Sequence, residues 1–283
     1  MNVCERRLFI FYGGENETMI ESNQFLENDY KNFDEGSRLL ERHTSLEYLT
    51  TMRYIERYLT TGTRIIDIGA ATGIYSHALA RMGYTVDAVE LLEHHVEHFK
   101  QNTQPGEAVT ITQGNAMDLS GFPDCTYDIT LLLGPMYHLY NDADKHKAMS
   151  EALRVTKRGG IVFAAYVMSD ATILSGGFKE RRWSVSKNIE KGFICPQTFS
   201  VLRTEPYQII DVVRKEAIDA LMAMYPVTRL HFVSADGCWN MSDAIAEMDD
   251  ALFELYLKYH FATCERADMV GFASHTIDIF RKD

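Results

Sequence analysis

Asp67 closes the apolar run Arg64-Ile-Ile-Asp-Ile68, the turn Gly69-Ala70-Ala71-Thr72-Gly73 follows it, and a second acid, Glu90, stands further along. Acids at these places suit a ligand that carries positive charge and hydroxyls. Asp67 would repel a phosphate but attract an α-amino group or a sulfonium. Glu90, about twenty residues past the turn, is placed to accept both hydroxyls of a ribose. Gly69 and Gly73 free the backbone for close approach, and Ala70 and Ala71 add little bulk. A dinucleotide site asks for G-x-G-x-x-G so that the chain can meet a pyrophosphate. Here alanine holds the middle position and no third glycine is in register, so the ligand expected is S-adenosylmethionine and not NAD.

These residues need strands and helices to hold them. Arg64–Ile68 reads as a buried strand and Ile74 to Arg81 as the helix after the turn. Tyr84 to Glu90 alternates as a second strand, with Leu91 just past its tip. Ala108 to Thr112 reads as a third strand, and the polar loop Gln113 to Asp118 follows, where Asn115, Ala116 and Met117 would form the wall for an adenine. Tyr127 to Leu133 is a near-continuous apolar run, as a central parallel strand requires. Leu133 at its end is a further cofactor candidate. A helix over Ala143 to Thr156 and the turn Lys157-Arg-Gly-Gly160 lead to a fifth strand, Ile161 to Val167.

In this order the motifs resemble the class I S-adenosylmethionine-dependent methyltransferases, over roughly Leu39 to Val167 and again in a closing pair of strands near the C-terminus. The resemblance implies an α/β, Rossmann-like open sheet of seven strands, the last antiparallel, with helices on both faces. Ligands of such sheets sit outside the carboxyl ends of the strands. It also implies a small-molecule enzyme of this type, working by in-line displacement at the sulfonium methyl. The protein must then align an O, N or S nucleophile about 3–3.5 Å from that carbon.

His138, in Pro135-Met-Tyr-His just past the fourth strand, is the first catalytic candidate, as general base or as hydrogen-bond partner of the substrate. The alternative is a histidine packed beneath a lid. Tyr137 would line the methyl site or fill the loop. Tyr166, ending the fifth strand, would face the substrate or sit in the core with its hydroxyl satisfied. In the N-terminal arm, Tyr30 is read as closing over the methionine moiety, and Arg38 and His43 as substrate-side residues, against a plain solvated reading. His94 and His98 have the i, i+4 spacing of a metal pair but no third ligand, so no metal is expected.

Composition sets the boundaries. The chain has 283 residues, 46% hydrophobic and 24% charged, with a net charge of −12. That charge argues against nucleic acid or an anionic membrane as partner, since phosphate binding needs a basic face. The five scattered cysteines, without a C-x-x-C pair, read as reduced thiols of a cytoplasmic protein. No apolar run is long enough for a signal peptide or a membrane span. The organisation expected is an arm and lid helix over residues 1–60, a cofactor-binding core over 61–168, and lid insertions with the closing strands over 169–283. Within the last part the pattern predicts helices over Tyr207 to Met224 and Met241 to Cys264. The partner expected is a small molecule, with oligomeric state open. The rival readings are a protein that binds the cofactor as sensor or scaffold, and an enzyme of the same fold that uses the cofactor otherwise or acts on protein or RNA.

Overall fold

The computed structural model describes residues 42–202 and 210–283. Strands β1 (Arg64–Ile68), β2 (Thr85–Glu90), β3 (Val109–Gln113), β4 (Tyr127–Leu132), β5 (Thr156–Val167), β6 (Val227–Ser234) and β7 (His275–Lys282) form one sheet in the order β3-β2-β1-β4-β5-β7-β6. β1 to β5 run parallel, and β7 runs antiparallel between β5 and β6. The strand order reverses at β1, so β1 and β4 flank the crevice where ligands of open α/β sheets collect.

β1 is buried on both faces, which is why it reads as an unbroken apolar run instead of an alternating one. Ile66 and Ile68 pack into a cluster with Ala148, Met149 and Ala152 of the helix Asp142–Val155. Ile65 packs on the opposite face with Met52, Tyr54 and Ile55 of the helix Arg42–Glu56, and with Tyr75 and Leu79 of the helix Ile74–Arg81. We call these helices α1 (Arg42–Glu56), α2 (Ile74–Arg81) and, after α3 (Glu93–Asn102), α4 (Asp142–Val155). Each buried isoleucine contributes about 1.5–3 kcal/mol, so both faces of β1 are firmly anchored.

The fifth strand begins earlier than its pattern predicts. Tyr127 pairs with Thr156, and the next pair, Ile129 with Ile161, lies past an irregularity at Lys157-Arg-Gly-Gly160. Gly159, at φ +78°, takes the left-handed backbone that the detour needs.

Two helix expectations change. The helix expected over Tyr207 to Met224 is α7, Lys215–Met222, alone, after the short α5 (Ser169–Thr172) and α6 (Val185–Glu190); residues 203–209 lie outside the described residues. Upstream of α7 the chain is extended: Val213 N–H donates to Val167 O, and Ser169 N–H donates to Val213 O. Ile210, Val212 and Val213 are β-branched and favour that conformation. The helix expected over Met241 to Cys264 splits into α8 (Ser242–Glu247) and α9 (Asp250–Thr263). Met248 is extended, and Asp249 caps α9 by accepting from Leu252 N–H at 2.8 Å.

α1 is tied to this C-terminal region by polar contacts as well as packing. Thr50 hydrogen-bonds His260 of α9 at 2.9 Å, and Tyr54 donates to Glu265 at 2.6 Å. No helix among the described residues is long and apolar enough to cross a membrane.

Candidate active site

The turn after β1 is built by backbone conformation. Gly69 and Gly73 have φ +78° and +89°, and Ala71 between them also lies in the left-handed region at +47°. Gly69 is required for a second reason: a Cβ there would stand 2.7 Å from Pro135 Cδ in the loop after β4. The tips of β1 and β4 therefore meet through a residue without a side chain. Gly73 serves packing instead, since a Cβ would fall 2.5 Å from the Phe99 ring and 2.7 Å from His77 Nε2.

Asp67 is buried and accepts the Ser76 hydroxyl at 2.7 Å. Burial raises its pKa to about 6; the Ser76 hydrogen bond opposes the rise and the neighbouring charge of Glu90 adds to it. Glu90 is equally buried but behaves in the opposite way. Burial alone would raise it, yet His95 and the N–H groups of Leu92 and Ala71 together hold it below the ordinary carboxylate range. Those amides donate to its two oxygens at 2.9 and 2.8 Å. Oε2 keeps a second lone pair beside the Ala71 amide, so Glu90 can still receive a ligand hydroxyl.

One cavity at the carboxyl ends of the strands gathers Asp67, Gly69, Ala70, Ala71, Glu90, Leu91, Asn115, Ala116, Met117 and Leu133. Tyr137 and His138 line it too. The sequence motifs after four different strands thus border a single space. Asn115 shapes its loop locally, its Oδ1 accepting from Met117 N–H at 2.9 Å. Past β4, a single helical turn, Pro135–Tyr137, sets the next residues; His138 N–H donates to Pro135 O at 2.9 Å, and the His138 ring meets the Tyr137 ring edge-on at 4.8 Å. This turn is pinned from outside by Asp211, whose N–H donates to Tyr137 O at 2.7 Å and whose carboxylate pairs with Lys145.

The remaining candidates, and two further histidines, lie elsewhere. Gly73 is not at the cavity wall. Tyr166 is not either: it is 3% exposed in the core beside Val162 and Ala164, and its hydroxyl pKa is raised by burial and by Asp278. His231 pairs with Glu265 at 2.9 Å and borders a different cavity. His260 is buried and held to a pKa of about 4 by that burial. His98 is exposed, and no group of metal-ligating side chains is assembled among the described residues. Tyr30, Arg38 and the side chain of His43 lie outside the described residues.

The cavity also has walls that the sequence reading missed: Glu47 and Tyr75 from α1 and α2, His95 from α3, and Tyr140 and Asp144 after β4. His95 Nδ1 stands 3.5 Å from Glu90 Oε1. Tyr140 and Asp144 could have been found, because they continue the same connection as Tyr137. Glu47 carries no local signal, since it precedes β1 by a whole helix.

The donor set fits S-adenosylmethionine. Two carboxylates face the space at the tips of β1 and β2, and the described lining holds no lysine or arginine to meet a pyrophosphate. Residues 66–164 match a family model described as a methyltransferase domain. The chain is 30% identical over 132 residues to a demethylmenaquinone methyltransferase of Clavibacter sepedonicus, covering 46% of this chain and 52% of that one. It is 27% identical over 106 residues to an S-adenosyl-L-methionine-dependent Diels-Alderase of Talaromyces variabilis, covering 36% of this chain and 35% of the other. The chain thus spans between a third and about half of these relatives' length. Among solved structures, a Pyrococcus horikoshii protein shares the fold with a TM-score of 0.57 at 15% identity, over 90% of this chain and 99% of its own.

Proposed function

We propose that the chain is a class I S-adenosylmethionine-dependent methyltransferase, with S-adenosylmethionine as cofactor, and that it transfers a methyl group to an O, N or S nucleophile of a small molecule. The observation that carries this reading is the single cavity shared by Asp67, Glu90, the Asn115–Met117 loop and the Tyr137–His138 turn. Glu90 would hold the ribose, Asn115 to Met117 the adenine, and Asp67 with the Gly69 turn the methionine end. The bound cofactor supplies an electrophilic methyl that already carries its leaving group. What remains for the protein is alignment and the exclusion of water. His138 and Tyr137 border the same cavity, where His138 would accept a proton from a hydroxyl acceptor or orient it by a hydrogen bond.

Calorimetric titration with S-adenosylmethionine and its demethylated product, with NAD as control, tests the cofactor site. Micromolar binding of the first two is expected, weakened at least ~100-fold by Glu90→Ala and by Gly69→Val; the valine would strike Pro135 in a left-handed backbone. Binding of NAD alone would overturn the reading. A second reading has one observation behind it, the similarity to a Diels-Alderase that depends on the same cofactor. There the cofactor would be retained while the substrate rearranges. Mass spectrometry of the converted substrate separates the two: a methyl gained supports transfer, and an unchanged mass supports rearrangement.

A further inference from the structure

We propose that His95 occupies one oxygen of Glu90, so that the carboxylate grips the cofactor through a single ribose hydroxyl and not through both. This deepens the reading above and rests on it, since that reading gives the ribose to Glu90. A carboxylate takes a diol by offering it a lone pair from each oxygen. Here the two oxygens are not equivalent.

Oε1 accepts Leu92 N–H at 2.9 Å, and His95 Nδ1 stands 3.5 Å from that same oxygen. Oε2 accepts Ala71 N–H at 2.8 Å and keeps its second lone pair. Both side chains are nearly enclosed, Glu90 at 7% exposure and His95 at 5%, so bulk water has little access to either. Two donors on one oxygen and one on the other leave room for one hydroxyl of a ligand, on Oε2.

The short chain between the two residues fixes this arrangement. His95 N–H and Val96 N–H both donate to Leu92 O, at 3.0 and 3.1 Å, as α3 begins. That turn brings residue 95 back toward the tip of β2. The His94 ring packs against the His95 ring with centroids 4.3 Å apart, which limits rotation of the imidazole. Burial by itself would raise the Glu90 carboxyl, and His95 leads the groups that hold it below the ordinary range. His95 also lines the cavity, as do Glu90, Leu91 and Leu92. It therefore stands where a second hydroxyl would otherwise reach Oε1.

The test titrates the full chain with S-adenosylhomocysteine and with its 2′-deoxy and 3′-deoxy analogues. One analogue is expected to bind at least ~10-fold more weakly than the parent, and the other to within about threefold of it. His95→Ala, checked for folding by its melting temperature, returns a lone pair of Oε1 to the cavity. The tolerated analogue should then bind at least ~5-fold more weakly than the parent. His95→Asn keeps a donor near the Nδ1 position and should keep the wild-type ratios. A purely structural role for His95 would weaken all three ligands alike in the alanine variant, and unchanged ratios there overturn the proposal. Equal losses for the two analogues in the wild-type chain, or none for either, overturn it whether or not the alanine variant folds, and leave the cofactor reading standing. Failure of S-adenosylhomocysteine itself to bind the folded chain overturns both.

Discussion

Asp67 and Glu90 stand at the tips of neighbouring strands, both nearly inaccessible, and burial governs one while hydrogen bonding governs the other. Glu90 has two backbone amides and a histidine to hold its charge; Asp67 has one serine hydroxyl. Asp67 therefore titrates near 6, and this has a consequence for binding. Above that pH the carboxylate is charged and attracts a cationic ligand; below it the attraction is lost. S-adenosylmethionine affinity should fall as pH drops through about 6, by up to ~10-fold per pH unit for one proton. Asp67→Asn should flatten that slope, and a pH series of titrations checks both. For folding the sign is the reverse. A carboxyl whose pKa is raised on folding contributes stability below its ordinary range, and the contribution is lost as pH rises through 6. At Gly73 the constraint is steric. Gly73→Ala should lower stability by about 1–3 kcal/mol through overpacking against Phe99 and His77, as measured by denaturant unfolding.

At the scale of elements, the sheet is closed by an ion pair that no local pattern announces. Asp278, in the middle of β7, is fully buried, and Arg229 of β6 grips both of its oxygens at 2.7 Å. Arg229 also binds Asp219 of α7, so one guanidinium joins two strands and a helix. Removing it would strand a buried carboxylate. Arg229→Met should cost about 3–5 kcal/mol, seen as a lower denaturation midpoint at unchanged m-value. The strand assignments were legible because β1, β2 and β4 carry continuous or alternating apolar runs between glycine turns. The stretch from Ile210 to Val213 was not, because its apolar residues fit either a helix face or a short extended segment. The backbone at the end of β5 and the start of α5 decided the matter, through Val167 and Ser169, by taking both hydrogen bonds of Val213.

For the whole molecule, strand order converts separate motifs into one site. Sequence order places the glycine turn, Glu90, the Asn115 loop and the Tyr137 turn one after another; the reversal at β1 brings all four to one rim. A ligand on that rim touches loops from four strands and should stabilise the molecule as a unit. S-adenosylmethionine at about 100 times its Kd should raise the free energy of unfolding by about 2.7 kcal/mol, and NAD at the same concentration should not. Thermal unfolding with each ligand measures the difference.

The sequence by itself determined the fold class and singled out Asp67, Gly69 and Glu90, which line the cavity at the strand tips, because turn conformation, strand patterning and charge at a strand tip are local properties. Tyr166 shows where that ends. Every neighbour of Tyr166 along β5 is buried, so the pattern has no polar side from which to tell which face the tyrosine takes, and the packed sheet turned it into the core. The meeting of Glu47, His275 and Asp236 also belongs to tertiary structure alone. Those residues lie on a helix before the sheet, the last strand and the loop after β6, and only the docking of α1 against the C-terminal region brings them together, with Glu47 at the cavity wall.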